Sequence, residues 1–515
     1  MRRLLLPLAG ALLLWASFPR LSLTGLAWIA LAPWIAHALE QPARRAALDL
    51  GLAGALFFGL HLAWIPAALA AYGRLPIWFA WLTLLALSLY LGLYVAGFGA
   101  ALAWAAGRIG PRSALLAPPL WVALELLRGR LVTGFPWGLL GHSQAPHPLV
   151  IQVADFAGVY GISFVLAAAA AALALWIQAC PGAPRLLAGA GSAALIVSML
   201  AYGWIRIQRP PVSIGPPVTV AAIQANIHFE RSLRVSEALS VLAEYEALSA
   251  AAAARGASLI VWPESSITFP LGFSGSPYLE QRLARRARQW GAALAFGSDA
   301  FGSDGRGPAT NSAHVISAGG AIEPRYDKIQ LVPFAERLPL PQLLAPLSGW
   351  IPAIADFVPG RASRVYPGPG LRFGILICYE GVFPELGRAL VDGGADLLLS
   401  LTNDAWFGAS AAPHQHLAMT ALRAVETRRY LLRAANTGIS ALVDPLGRVI
   451  QRSELFVPAT VLGPVWRIRG ASAYQRWGDA FAAACALLTS AALLSCRSAR
   501  VSAPAPAAHK HRPRT

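Results

Sequence analysis

Cys378 ends the apolar run Phe373-Gly374-Ile375-Leu376-Ile377 and is followed by Tyr379-Glu380. An apolar run of that length, bounded by Gly and charge, reads as a buried strand whose end presents the thiol at the rim of a sheet. The chain has four cysteines, and Cys180, Cys485 and Cys496 lie in or beside long hydrophobic stretches. Cys378 therefore has no disulfide partner in its own region and is either inert packing or a nucleophile. Lysine usage is a second signal: of 42 Lys plus Arg, only Lys328 and Lys510 are lysine. Lys510 lies in the C-terminal tail; Lys328 lies in Arg325-Tyr326-Asp327-Lys328. Arg is a permanently charged planar fork, whereas Lys is a compact point charge. A third polar group, Glu264, follows the apolar run Leu259-Ile260-Val261-Trp262. Taken singly, these are a packed thiol, a surviving lysine and a solvated turn carboxylate. Taken together they supply a thiol, a cation for an oxyanion and a general base, the set that performs nucleophilic acyl transfer.

A thiol of ordinary pKa is mostly protonated at neutral pH and needs activation. If the three groups converge, Glu264 takes the proton and Lys328 stabilises the oxyanion formed when the thiolate attacks a carbonyl. The Tyr379 backbone N–H, next after the nucleophile, is a candidate second oxyanion donor. Glu264 then returns its proton to the leaving group.

The motifs carrying these residues are Trp262-Pro263-Glu264-Ser265, Lys328-x-x-Leu331-Val332-Pro333-Phe334-x-Glu336 and Ile377-Cys378-Tyr379-Glu380. In combination they resemble the Glu-Lys-Cys signature of the nitrilase superfamily. Thr133-Gly134-Phe135-Pro136-Trp137-Gly138, Asn403-Asp404-Ala405-Trp406-Phe407-Gly408 and Arg433-Ala434-Ala435-Asn436-Thr437-Gly438-Ile439-Ser440 narrow this. With the membrane segments, nearly the whole chain resembles the apolipoprotein N-acyltransferase family. The resemblance implies a nitrilase-like αββα sandwich carrying Glu264, Lys328 and Cys378 as catalytic residues. Glu336 is implied to support Lys328 or the incoming amine, and Tyr379 and Glu380 to fix the nucleophile's loop. It implies a phospholipid acyl donor, a thioester on Cys378 in a ping-pong mechanism, and a diacylglyceryl-modified apolipoprotein N-terminal cysteine as acceptor. No metal and no dissociable cofactor are implied, and a monomer is expected. The chain departs from the family at Ala335, where Gly is common, at Ser232-Leu233, where a Lys-Trp pair is common, and at His142, where Tyr is usual. These positions bear on acyl-chain recognition rather than on the reaction.

Hydrophobic residues make up 56% of the chain and charged residues 13%. An ordinary soluble domain carries about 25% charge, so this is an integral membrane protein. Apolar stretches at about 46–72, 76–106, 150–179 and 186–206, with shorter ones at 4–19, 22–40, 112–128 and 477–496, suggest a polytopic α-helical bundle of about eight spans. Met1-Arg2-Arg3 and the apolar run after it imitate a signal peptide, but no small-x-small site follows, so a retained first span is expected. The net charge of +17 is not a nucleic-acid footprint, because the arginines do not interleave with aromatics on one soluble face. It follows the positive-inside rule. Arg2, Arg3, Arg44, Arg45, Arg108, Arg112 and Arg185 share a side with Arg497, Arg500, Lys510, Arg512 and Arg514, while Arg20, Arg74, Arg128 and Arg130 lie on the other. Both termini are thus expected in the cytoplasm of a bacterial inner membrane. The expected organisation is a bundle over 1–206, a periplasmic catalytic domain over 207–475, a final span over 476–496 and a disordered basic tail over 497–515. The oxidising periplasm suits a cysteine with no partner.

Within the catalytic domain, β-like runs recur at Val218–Ile223, Leu259–Trp262, Ala293–Phe296, His314–Ser317, Phe373–Ile377, Leu397–Leu401 and Ile439–Val443. Helical stretches lie at Ser236–Arg255, Pro277–Trp290, Pro384–Val391 and His414–Arg433. That alternation indicates an α/β layered domain. The Pro-rich apolar segment Leu338–Pro359, and Phe269-Pro270-Leu271-Gly272-Phe273, read as covers that exclude water and admit lipid. Phe273, Trp350, Phe357 and Trp406 are the candidate lipid contacts. Glu125 and Arg128, in a membrane segment, read as a pair holding the Phe135-Pro136-Trp137 loop under the domain. His414-x-His416 has metal-like spacing but no convergent ligand set, so a helix-terminal or packing role is expected. Two rivals stay open: a membrane-anchored amidase that uses water, and a non-catalytic transporter or scaffold.

Overall fold

The computed structural model describes residues 2–72, 76–179, 182–228, 231, 234–267, 273–301, 309–337 and 357–498. Its first part is helical: Arg2–Ala16, Ala32–Glu40, Ala43–His61, Ile65–Tyr72, Ile77–Ile109, Ala117–Arg130, Ala154–Ile177 and Ala183–Gln208, with Ala480–Ser498 returning after the second part. Among the described residues, four helical stretches are long and apolar enough to cross a membrane: Ile77–Arg130, Ala154–Ile177, Ala183–Gln208 and Ala480–Ser498. Ala43–His61 with Ile65–Ala71, bent by 50°, makes a fifth if the pair is one span. The span expected at 22–40 does not form as one helix. It divides into the turn Thr24–Trp28 and the nine-residue helix Ala32–Glu40, which at about 1.5 Å per residue falls far short of the ~30 Å hydrocarbon core. Ala43–His61 packs closely on Ile77–Ile109 through small residues; a Cβ on Gly54 would lie 2.6 Å from the Val95 side chain, and one on Gly92 2.6 Å from the Gly51 carbonyl. Small residues at such seams let apolar helices approach.

The second part is a four-layer α/β sandwich. With β1 at Ser213–Gln224, β6 at Val365–Pro367, β10 at Ala441–Val443, β11 at Val449–Arg452, β12 at Ala459–Ile468 and the remaining strands as given next, one sheet runs β12-β1-β2-β3-β4-β5 and the other β11-β10-β9-β8-β7-β6. The strands nearest the site are β2 (Leu259–Val261), β3 (Ala293–Ala300), β4 (Thr310–Ile316), β5 (Tyr326–Asp327), β7 (Arg372–Ile377), β8 (Leu397–Thr402) and β9 (Tyr430–Ala435). β2 pairs in parallel with β1 and β3, and β8 in parallel with β7 and β9. Val220, Leu259, Val261, Phe373, Ile375, Leu399 and Leu432 fill the space between the sheets. Helices Ala238–Ala254 and Pro277–Trp290 cover one outer face; Pro384–Asp392 and Ala412–Thr427 cover the other.

Ala412–Thr427 is buried on both sides. Leu417, Ala421 and Ala424 pack on the sheet, while Met419, Leu422 and Val425 join the core of the membrane helices. This three-and-four spacing puts two apolar stripes on one helix, as a layer between two bodies requires. Beyond it, Arg428 places Nη2 2.6 Å from Asp155 Oδ2 and Nη1 2.6 Å from Gln152 Oε1, fixing the sandwich to the bundle. The helix expected over His414–Arg433 is shorter than that: it ends at Thr427, Arg428 takes φ +53°, and β9 begins at Tyr430. The apolar run Leu431-Leu432 is buried between strands, so tertiary context overrides the helical propensity of Leu, Arg and Ala.

Candidate active site

Parallel strands place the residues after their C-terminal ends on one rim, the edge where α/β sheets commonly bind ligands. Glu264 follows β2, Cys378 follows β7 and Asn403 follows β8. The two sheets face each other, so these three arrive from opposite layers. The Glu264 turn lies directly on β3, where a Cβ on Gly297 would be 2.6 Å from the Glu264 Cα. Only glycine at 297 allows that approach.

Glu264 is 5% exposed and Lys328 1%. Lys328 Nζ lies 3.2 Å from Glu264 Oε1 and 2.8 Å from Glu336 Oε1. The Asn311 side-chain amide donates to the same two oxygens, each at 2.8 Å. Glu264 Oε2 accepts the Asn403 N–H at 2.9 Å, and Glu336 Oε2 the Val332 N–H at 2.7 Å. Each carboxylate is thus held on both oxygens. Burial works to lower the Lys328 pKa, but the charges of Glu264 and Glu336 outweigh it and hold the ammonium well above its ordinary value. Asp299, on β3, adds a third carboxylate. Burial first, then Glu264 and Glu336, push it up to about 6.

Cys378 has φ +50°, the left-handed region, as the first residue of the turn Cys378–Val382. A non-glycine residue there costs about 1–2 kcal/mol and persists only when its surroundings hold it. Glu380 supplies one restraint. Its carboxylate, fully buried, accepts the Ile377 N–H, the Ile329 N–H and the Tyr326 hydroxyl, each at 2.7 Å. The strand leading to Cys378 and the loop carrying Lys328 are thereby tied to one side chain. Burial, and then the Glu264 charge, push the Cys378 thiol up, with Lys328 opposing. The thiol is therefore protonated at rest and requires a base at the moment of attack.

The structure thus brings Glu264, Lys328, Glu336 and Cys378 together, with Glu380 behind them. Tyr379 is buried, and its hydroxyl donates to the Gly134 carbonyl at 3.3 Å. Gln330 Nε2 donates to the Thr133 carbonyl at 2.7 Å. The membrane loop around Thr133–Gly138 thus touches the neighbours of both Cys378 and Lys328. Arg128 shapes that loop by donating to the carbonyls of Phe135 (3.0 Å) and Trp137 (2.7 Å), and Glu125 Oε1 accepts the Leu140 N–H at 2.6 Å. Each acts on the loop through its backbone.

Among the described residues, the candidate lipid contacts Phe273, Phe357 and Trp406 differ in exposure. Phe273 is 1% exposed and packs on Phe296 and His314 in the outer core, so its side chain does not face a lipid-accessible surface. Phe357 is half-buried, with its N–H on the Glu336 carbonyl at 3.0 Å. Trp406 is exposed on the turn Asp404–Phe407. Trp350 lies outside the described residues, as do 338–356 of the proposed cover and 268–272 of the second loop. Among the described residues no cluster of three or more His, Cys, Asp or Glu could hold a metal ion. His416 is fully buried, while His414 is half-buried. Sequence reasoning missed Asn311, Asn403 and Asp299. The available signals were the polar run Thr310-Asn311-Ser312 that opens β4 and the Asn403-Asp404 pair that follows the apolar run Leu397–Leu401.

Residues 219–462 match the carbon-nitrogen hydrolase family, and residues 10–172 match the apolipoprotein N-acyltransferase N-terminal domain. An apolipoprotein N-acyltransferase of Geobacter metallireducens is 40% identical over 495 residues, covering 94% of this chain and 93% of that one. One of Azotobacter vinelandii is 34% identical over 516 residues, covering 98% and 97%. Among solved structures, a mutant of the amidase from Nesterenkonia sp. AN1 matches at 23% identity and a TM-score of 0.38, covering 51% of this chain and 97% of that one. At 40% identity across nearly the full length of both chains, this chain belongs to the apolipoprotein N-acyltransferase family.

Proposed function

We propose that the protein transfers an acyl chain from a phospholipid, through a thioester on Cys378, to the α-amino group of a diacylglyceryl-modified N-terminal cysteine of an apolipoprotein, the last step of lipoprotein maturation. The observation that carries this is the Lys328 ammonium held between Glu264 and Glu336, with its charge and that of Glu264 both acting on the Cys378 thiol at a left-handed strand end.

Glu264 takes the thiol proton and the thiolate attacks the ester carbonyl. Lys328 and the Tyr379 N–H stabilise the oxyanion. Collapse breaks the ester C–O bond, and the departing lysophospholipid oxygen receives the proton from Glu264. The acceptor amine then attacks the thioester and gives up a proton to Glu264. The thiolate leaves and is reprotonated, so one ester and one amine become one amide and one alcohol. Glu336 and Asn311 keep Lys328 and Glu264 in place. No metal or cofactor takes part in this scheme.

The acceptor distinguishes this reading from a membrane-anchored amidase. The contact of Gln330 and Tyr379, neighbours of Lys328 and Cys378, with the membrane loop at Thr133 and Gly134 supports a lipid donor. The arginine asymmetry supports cytoplasmic termini, a catalytic domain over 207–475 on the periplasmic face, and an odd number of crossings before it. The test is purified protein given phospholipid and a diacylglyceryl-cysteine peptide. N-acylated peptide is expected from the wild type and none from Cys378→Ser, because a serine hydroxyl is far harder to ionise than a thiol. Release of free fatty acid with unmodified peptide contradicts the transferase reading.

A further inference from the structure

His416 belongs to none of the motif roles assigned above, yet it is fully buried beside the nucleophile. Its Nε2 lies 3.1 Å from the Cys378 carbonyl oxygen. A carbonyl only accepts, so Nε2 carries the proton and donates. On the other side of the ring, Nδ1 lies 3.1 Å from Arg433 Nη2 and 3.2 Å from Asp404 Oδ1. A guanidinium only donates, so Nδ1 is its acceptor. Arg433 Nη2 also donates to Asp404 Oδ2 at 2.7 Å, and Thr402 Oγ1 to Asp404 Oδ1 at 2.8 Å. Burial and the Arg433 charge push the imidazole's pKa down against the Asp404 carboxylate, which keeps the ring neutral with its proton on Nε2. The ring is wedged beside Trp137 of the membrane loop, with centroids 5.6 Å apart.

This histidine addresses the backbone of the nucleophile, not its sulfur. The carbonyl it holds belongs to the residue in the left-handed conformation, and the orientation of that peptide decides where the thiol points. We propose that His416 is a positioning residue: anchored at Nδ1 by Arg433, which Asp404 holds in turn, its Nε2–H clamps the Cys378 carbonyl and keeps the thiol turned toward Glu264. The inference rests on Cys378 being the nucleophile.

Two amide variants separate this from a packing role. A glutamine amide reaches the Nε2 position and can donate to the Cys378 carbonyl. An asparagine amide reaches only the Nδ1 position, where it can meet Asp404 and Arg433. Both leave a polar group in the same cavity. The measurement is the single-turnover rate of Cys378 acylation by phospholipid in detergent, with its half-saturating lipid concentration, alongside the melting temperature of each variant. His416→Gln is expected within a few-fold of wild type. His416→Asn is expected to fall about 10–100-fold in rate, the scale of losing a group that orients a reacting residue, with half-saturation unchanged. Equal rates for both variants in folded protein, a faster Asn than Gln variant, or a loss confined to half-saturation overturns the proposal. If the Asn variant unfolds, His416→Phe is measured in its place with the same expectation. Should the wild type itself form no acyl-Cys378, the nucleophile assignment fails instead, and the two failures are distinguishable.

Discussion

The backbone N–H of Asn403 donates to Glu264 Oε2 at 2.9 Å, across 139 residues of sequence. Glu264 follows β2 in one sheet and Asn403 follows β8 in the other, so the Glu264 carboxylate is gripped by both halves of the sandwich. Asn436 extends the grip: its amide donates to the Ile227 carbonyl at 2.8 Å and to Asn403 Oδ1 at 3.3 Å. The catalytic rim is a seam between two sheets, and its geometry depends on how they stack.

Lys328→Arg is expected to insert and fold but to lose at least about a hundredfold in turnover, the scale of removing one oxyanion donor. Lys328 is almost completely buried between two carboxylates, and a guanidinium is too broad for a slot cut for an ammonium. Steady-state assays against wild type check this. Near-wild-type kinetics reduce Lys328 to a structural cation.

Asp299→Asn is expected to stabilise the protein at alkaline pH. Its folded pKa of about 6 lies above the ordinary value of 3.8. The folded state therefore binds the proton more tightly, and stability contributed by protonated Asp299 is lost as pH rises through that window. An amide cannot ionise, so the variant keeps what the wild type loses. Melting temperatures in detergent should favour the variant over the wild type at about pH 8, with the gain fading toward about pH 4. A gain that grows on acidification contradicts this.

Lys328, after the two-residue β5, was marked only by the scarcity of lysine, whereas Glu264 and Cys378 stood out as candidates because each follows a short apolar strand. Such runs declare their own burial, and the polar group that follows has to sit at the rim. The supporting cast was not legible, because its roles depend on which strands become neighbours. Asn311 matters because β4 lies beside β3, and Asn403 because the second sheet faces the first. The boundary between Ala412–Thr427 and β9 was hidden for a local reason. Arg428 adopts the left-handed break without the glycine that announces one. The nine-residue helix Ala32–Glu40 was read into a span because its composition is apolar, whereas it is buried inside the bundle.

Phe273→Ala tests whether Phe273 belongs to the core or to the lipid path. With its ring packed on Phe296 and His314, truncation should cost about 3–5 kcal/mol of stability by cavity formation. Half-saturation for phospholipid should be unchanged in the protein that remains folded. Paired melting and kinetic measurements decide it; unchanged melting with weaker lipid saturation returns Phe273 to the lipid path.

The central claim is that Cys378 carries the acyl chain. Intact and peptide mass spectrometry of purified protein incubated with phospholipid alone, without acceptor, reads this directly. One acyl chain is expected on the peptide containing Cys378, released by hydroxylamine as a thioester is, and lost when the acceptor peptide is added. Acceptor N-acylation that proceeds while Cys378 stays unmodified, or an acyl group found on another residue, contradicts the account.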